Sequence, residues 1–330
     1  MPITGVYFIP SNPNASTALA TVTERLHTAL AEEPTLVGRW FLEHKLMRDT
    51  PSCLPVSTPQ QRQAQPRYMQ FLSLSHHPNH GFIYTSEPVP PLRTNSSDQA
   101  ANSPSFSSPS SSSAAQSTAG PMIMTTVPLA SSSTLFQHFG YACQPFWCHR
   151  HTVTVPGGAV YDVGDFRVRV GDVRQTQPAA RIRGTVVEIE WLGPSLVSLI
   201  NSQTLAKKLG SGALSARTAA AAADEGDVDS GVDVAFFPEE VEEADIDAEY
   251  DASAALIREF WARLGVEGAR EAIQVADFGK EVKEQLRRLK ASNLQSLSEQ
   301  ELGRQPDEDP DPAAGVDSAR QFMEIFRFNR

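Results

Sequence analysis

Between Gly157 and Trp191 the chain reads GGAVYDVGDFRVRVGDVRQTQPAARIRGTVVEIEW, and its strict alternation narrows the fold sharply. Phe166, Val168 and Val170 fall on one side of an extended chain, with Asp165, Arg167 and Arg169 on the other. Val187, Ile189 and Trp191 alternate in the same way with Glu188 and Glu190. Gly164 and Gly171 punctuate the runs. The segment is read as a three-strand meander with one buried and one wet face. Arg167, Arg169, Glu188 and Glu190 are expected on the wet face. Such a sheet serves more often as a scaffold or interaction surface than as an active site.

Further elements follow from the same reasoning. GVYFIP at Gly5–Pro10 reads as a buried strand. Asn14 is placed to cap a helix with Leu19, Val22, Leu26 and Leu30 on one face. Trp40, Leu42, His44 and Leu46 alternate with Phe41, Glu43 and Lys45. RYMQFLSL and GFIY flank HHPN at 76–79, which predicts a hairpin, and PMIMTTV is a further strand. Ser131–Ser133 are read as the start of a short helix carrying Leu135, Phe136 and Phe139. Gly193-Pro194 opens a helix with Leu196, Leu199 and Ile200. Ile257, Phe260, Trp261 and Leu264 form a stripe that stops at Gly265, and Val282, Leu286 and Leu289 form another. A last helix, capped by Asp317 or Ser318, carries Ala319, Phe322, Met323 and Phe326.

The expected fold class is α+β: an antiparallel, barrel-like but incomplete sheet with packed helices and disordered insertions. Residues 1–85 and 120–210 form one folded domain. Residues 86–119, rich in Ser and Pro, and the acidic 211–250 lack apolar periodicity and read as disordered insertions. Residues 251–330 hold the C-terminal helices, with a linker at 303–315.

Composition bounds the function. Net charge is −11, which argues against nonspecific nucleic-acid binding, since that needs clustered Lys and Arg. Three cysteines make no disulfide framework and imply a reducing compartment. MPITGVYFIP is too short and uncharged for a signal peptide, and no apolar run reaches membrane-spanning length.

GVYFIP near the start, DFRVRVGDV followed by RGTVVEIEW in the middle and ARQFMEIFRFNR at the end resemble the family of subunit 20 of the Mediator complex, the TBP-related Mediator subunit. The resemblance covers roughly residues 1–85, 120–210 and 316–330. It implies a nuclear, non-enzymatic coactivator subunit of the Mediator head module. Such a subunit forms a heterodimer with the similarly folded subunit 18, is tethered through subunit 8 and reaches the RNA polymerase II machinery indirectly. It implies no catalytic residue, no cofactor and no metal. Neither a membrane nor direct nucleic-acid contact is expected. The expected partner contacts are Tyr7 and Phe8 of the first strand with Arg167 and Arg169 of the meander.

The rival reading is enzymatic. Glu188 and Glu190 form an E-x-E pair of the kind that tunnel-type phosphohydrolases use to hold a divalent cation inside a β-barrel. That chemistry needs a second acidic pair on a facing strand. Gly38–Arg48 offers only Glu43, and Arg67–Leu74 offers no acid. Cys143, Cys148, His149 and His151 invite zinc, but C-x4-C-H-x-H matches no finger spacing, and neighbours on an extended chain point to opposite faces. His76, His77 and His80 are read as turn residues.

Overall fold

The computed structural model describes residues 3–11, 16–50, 67–86, 122–144, 146–209, 240–294, 311 and 313–327. Nine strands form one antiparallel sheet. They are β1 (Ile3–Pro10), β2 (Thr35–Asp49), β3 (Tyr68–Leu74), β4 (His80–Ser86), β5 (Met122–Pro128), β6 (Trp147–Val163), β7 (Phe166–Gln177), β8 (Arg181–Trp191) and β9 (Arg270–Ala272). Their spatial order is β5-β4-β3-β2-β6-β7-β8-β1-β9. The two ends, β5 and β9, do not pair with each other, so the sheet stays open.

Among the described residues six helices accompany it: α1 (Leu19–Thr28), α2 (Leu129–Tyr141), α3 (Leu196–Leu209), α4 (Glu243–Leu264), α5 (Lys280–Leu294) and α6 (Val316–Ile325). The alternation read from the meander decides where they pack. Val168, Val170, Val187 and Ile189 are fully buried against Val22 and Leu26 of α1, Ile257 and Phe260 of α4 and Val282 and Leu286 of α5. Met47, Met69 and Phe71 carry α2 through Leu135, Phe136 and Phe139. The opposite face holds Val6, Phe8, Trp40, Leu42, Leu72 and Val186, and α6 lies on it. α6 touches β1 and β9 at one end of the strand order and β3, β4 and β5 at the other. The sheet therefore curls around α6 as a trough around a rod.

Two glycines permit the curl. Gly158 of β6 faces the Trp40 indole, whose Nε1 donates to the Val170 carbonyl at 3.1 Å. A Cβ at Gly158 would collide with that ring and that carbonyl. Gly171 in turn lies against the Val155 side chain and the Gly158 backbone.

Three expectations change. First, the acidic stretch 211–250 is helical from Glu243, because Glu242 and Asp245 form a capping box and Ile246, Tyr250 and Ala254 share the buried face. Acids crowd the first turn of α4, where the helix dipole favours them. Second, α6 is capped by Gly315 in the left-handed conformation (φ 74°), not by Asp317 or Ser318. Both of those are buried and bonded elsewhere. Third, α2 starts at Leu129, directly after Pro128, so Ser131–Ser133 lie within its first turns. Asn14, residues 87–119 and residues 211–239 lie outside the described residues.

Candidate functional site

The trough under α6 gathers the polar groups that sequence reasoning placed in solvent. β7 and β8 pair with Arg169 opposite Glu188 and Arg167 opposite Glu190. R-x-R on one strand thus meets E-x-E on its neighbour on the same face. That face is the inner one, and α6 covers it. Glu188 is fully buried, and Arg169 and Glu190 are nearly so. The Arg169 guanidinium donates to Glu188 Oε2 at 3.0 Å and lies 2.6 Å from Glu190 Oε2. Ser318 Oγ of α6 donates to Glu188 Oε1 at 2.6 Å, and His76 Nε2 stands 3.6 Å from Oε2.

Burial opposes the charge of Glu188, but His76, Arg169 and the Ser318 hydroxyl outweigh it and hold its carboxyl below the usual range. Glu190 goes the other way: burial and neighbouring Glu188 push its pKa up against the pull of Arg169. The expectation of a wet face at Arg169, Glu188 and Glu190 is therefore corrected. Nothing in the meander's own pattern marks which face a distant helix will cover. The signal available was the charge complementarity of R-x-R and E-x-E on adjacent strands.

α6 is buried nearly all round, and its polar residues are each matched to a partner. Gln321 donates through Nε2 to the carbonyls of Thr4 and Ile273, both at 2.7 Å, and accepts from Thr4 Oγ1 at 2.7 Å. Asp317 accepts from the Gly279 N–H at 3.2 Å, from Tyr250 Oη at 3.3 Å and from Arg320 Nη1 at 3.0 Å. Burial pushes the Asp317 carboxyl up to about 6 against these donors. Arg320 also grips Glu281 and the Asp277 carbonyl. Buried polar groups of this kind cost several kcal/mol when orphaned, so they fix one register of α6 rather than adding bulk stability.

The E-x-E pair thus holds a guanidinium and a hydroxyl of its own chain, in the place where a phosphohydrolase would hold a cation. Among the described residues no three His, Cys, Asp or Glu side chains converge as a metal site. The Cys/His segment disperses: Cys148 Sγ meets Thr50 Oγ1 at 3.3 Å, His149 Nε2 meets Thr152 Oγ1 at 3.0 Å, and the His151 ring stands near His44 in the trough. His76 and His77 are more than turn residues. Their rings lie beside Trp40 and Phe82 over the trough.

The four expected partner contacts are placed as follows. Tyr7 is buried and stacks on Trp261 of α4 with ring centroids 4.2 Å apart. Phe8 is buried edge-on to Phe326. Arg169 is the buried hub just described. Arg167 alone of the four keeps an accessible guanidinium, in a two-pronged pair with Asp162 at 2.8 and 3.0 Å. The first strand is thus covered by helices of its own chain.

Accessible apolar groups lie elsewhere. Among the described residues β3 pairs with β2 only from Leu42 onward, so Thr35–Trp40 has a strand partner there on the β6 side alone. Leu36, Val37 and Phe41 along this edge are 66%, 55% and 52% exposed. An open edge with exposed apolar side chains is a template for another strand.

No curated protein matches the chain. A solved structure, that of the PH1819 protein from Pyrococcus horikoshii OT3, aligns over 58% of this chain and 78% of its own at 9% identity, with a TM-score of 0.23. That likeness is too slight to carry an argument. The model of one family, by contrast, matches residues 1–327, nearly the whole chain. That match shows that the chain belongs to the Med20 family, the TATA-binding related factors of subunit 20 of the Mediator complex.

Proposed function

We propose that this Mediator subunit acts as a non-enzymatic bridge in the head module of the complex, linking regulators to RNA polymerase II through protein–protein contacts in the nucleus. In this reading it forms a heterodimer with subunit 18 and is tethered by subunit 8. The observation that carries the proposal is the family match over residues 1–327. Two features support it. The polar residues best suited to chemistry, Glu188, Glu190, Arg169 and Asp317, are spent on holding α6. The apolar edge of β2 at Leu36, Val37 and Phe41 offers what a strand of a similarly folded partner would cover. Arg167, beside that end of the sheet, remains the charged contact in the proposal.

Co-expression with subunits 18 and 8 tests it. A stable complex is expected, of the permanent kind that buries roughly 2,000 Å² or more. Phe41→Glu with Val37→Lys should weaken it while leaving the monomer fold intact. Failure to co-purify with subunit 18 would overturn the partner assignment.

A further inference from the structure

The end of the sheet opposite the β2 edge is strongly basic. Strand registers place the start of β6, the end of β7 and the start of β8 together there. Trp147–Val155 and Val173–Arg183 contain no Asp or Glu, yet they hold Arg150, Arg174, Arg181 and Arg183. The chain as a whole is acidic, at −11. Arg150, Arg174 and Arg181 are exposed and make no ion pair among the described residues. Elsewhere the arginines of α4, α5 and α6 find carboxylates: Arg258 with Glu271, Arg263 with Glu259, Arg287 with Glu243 and Arg320 with Glu281.

Two of these arginines sit where the ladder is broken. Between Leu46↔His151 and Met47↔His149 the extra residue is Arg150, and between Val173↔Gly184 and Arg174↔Ile182 it is Arg183. β-bulges re-aim a side chain at the cost of ladder regularity, and they concentrate near functional sites. Arg181 and Arg183 both donate to the same amide oxygen, Gln175 Oε1, at 3.2 and 2.8 Å. Two guanidiniums are thus held together around a neutral acceptor. Their field reaches inward: burial first, then Arg183, His149, Arg150 and Arg181, lower the His151 pKa to about 4.

The same end offers main-chain groups. Among the described residues β7 pairs with β6 only from Thr152 onward, so Trp147–Arg150 has a strand partner on the β2 side alone. Phe146, just before it, is 64% exposed. From these observations we propose that this basic end is a docking site for an extended acidic segment of a partner protein. Its carboxylates meet Arg150, Arg174 and Arg181, and its backbone adds along Trp147–Arg150. A peptide fits better than a nucleic acid, which has no backbone amides for a strand edge. The site is separate from the β2 edge and does not depend on the partner assigned there.

The test is fluorescence anisotropy of the full chain with a labelled peptide of about twelve residues in which glutamate and threonine alternate, titrated at rising salt. Wild type should bind at low salt and weaken as salt rises. Arg150→Glu/Arg174→Glu/Arg181→Glu should bind about tenfold or more weakly. The corresponding Arg→Gln triple variant, which adds no repulsion, should lose affinity in the same direction. Arg25→Glu/Lys280→Glu/Arg288→Glu carries the same change of net charge on other surfaces and should bind like wild type. Thermal melts confirm that each variant is folded. The proposal fails if wild type does not bind, if both glutamate variants lose affinity equally, or if a single-stranded oligonucleotide binds more tightly than the peptide.

Discussion

Glu188 shows how much a single residue's role depends on what covers it. As one residue of an alternating strand it looks like surface, where substitutions seldom cost more than ~0.5 kcal/mol. In the fold it is fully buried between Arg169, Ser318 and His76. Glu188→Ala leaves the buried Arg169 guanidinium with Glu190 alone and takes the acceptor from the Ser318 hydroxyl, and breaking a buried pair in this way costs about 3–5 kcal/mol. Urea denaturation of the variant should show this loss, and a shift below ~0.5 kcal/mol would return Glu188 to the surface. His44 carries a pH prediction. Burial first, then His151, lowers its pKa from 6.5 to about 3 against the bond that His44 Nε2 donates to Gln70 Oε1. The folded state then binds fewer protons than the unfolded chain. The stability from this group is whole above pH 6.5 and is lost as pH falls toward its folded value, at on the order of 1 kcal/mol per pH unit. His77, lowered to about 4 by burial and by His76, adds in the same direction. Thermal melts between pH 7.5 and 5 should fall steeply for wild type and less steeply for His44→Leu/Gln70→Leu. Equal slopes would show that His44 is not held neutral.

At the scale of elements, the short-range signals did best. The meander, the β2 alternation and the apolar stripes of α1, α4 and α5 were legible because each depends on the period of side chains along one element. Trp40, Leu42, His44 and Leu46 are all buried, as their spacing implied. The trough was not legible, because it depends on Ser318 meeting Glu188 and Gln321 meeting Thr4, across 130 and 317 residues of sequence. The helical start of α4 was hidden by its acids, which match disorder in composition and a capping box in position. α6 is the element on which the trough depends. Phe322 is fully buried between Trp40 and Phe326, so Phe322→Ala should cost about 3–5 kcal/mol. Chemical denaturation reads this directly, and a loss under ~1 kcal/mol would mean that α6 does not occupy the trough. The β4–β5 hairpin carries a prediction of the opposite sign. Ser86 pairs with Met122, so the register closes without residues 87–121. Replacing them by a four-residue turn should leave the melting temperature unchanged or raise it, since the shorter loop lowers closure entropy by about 2 kcal/mol. A marked fall would show that the segment packs on the fold.

Among the described residues, the sheet is curled around the last helix and backed by the other five, with two surfaces left over. One is the apolar edge of β2, the other the basic end formed by β6, β7 and β8. The β2 edge was not read from the sequence, whereas Arg181 and Arg183 of the basic end stand there with Arg167 and Arg169 as a local basic patch suited to a partner's acids. The β2 edge is open because β3 stops short, and the basic end is assembled by strand register from arginines on three strands. Family membership was legible, from motifs spread over the first strand, the meander and the last helix. We propose that this chain works as a protein-binding subunit of Mediator. The most direct test is to purify the tagged chain from nuclei at physiological salt and to identify by mass spectrometry what accompanies it. Mediator subunits, with subunits 18 and 8 in near-stoichiometric amount, are the predicted result. Recovery of the chain without any Mediator subunit would contradict the account.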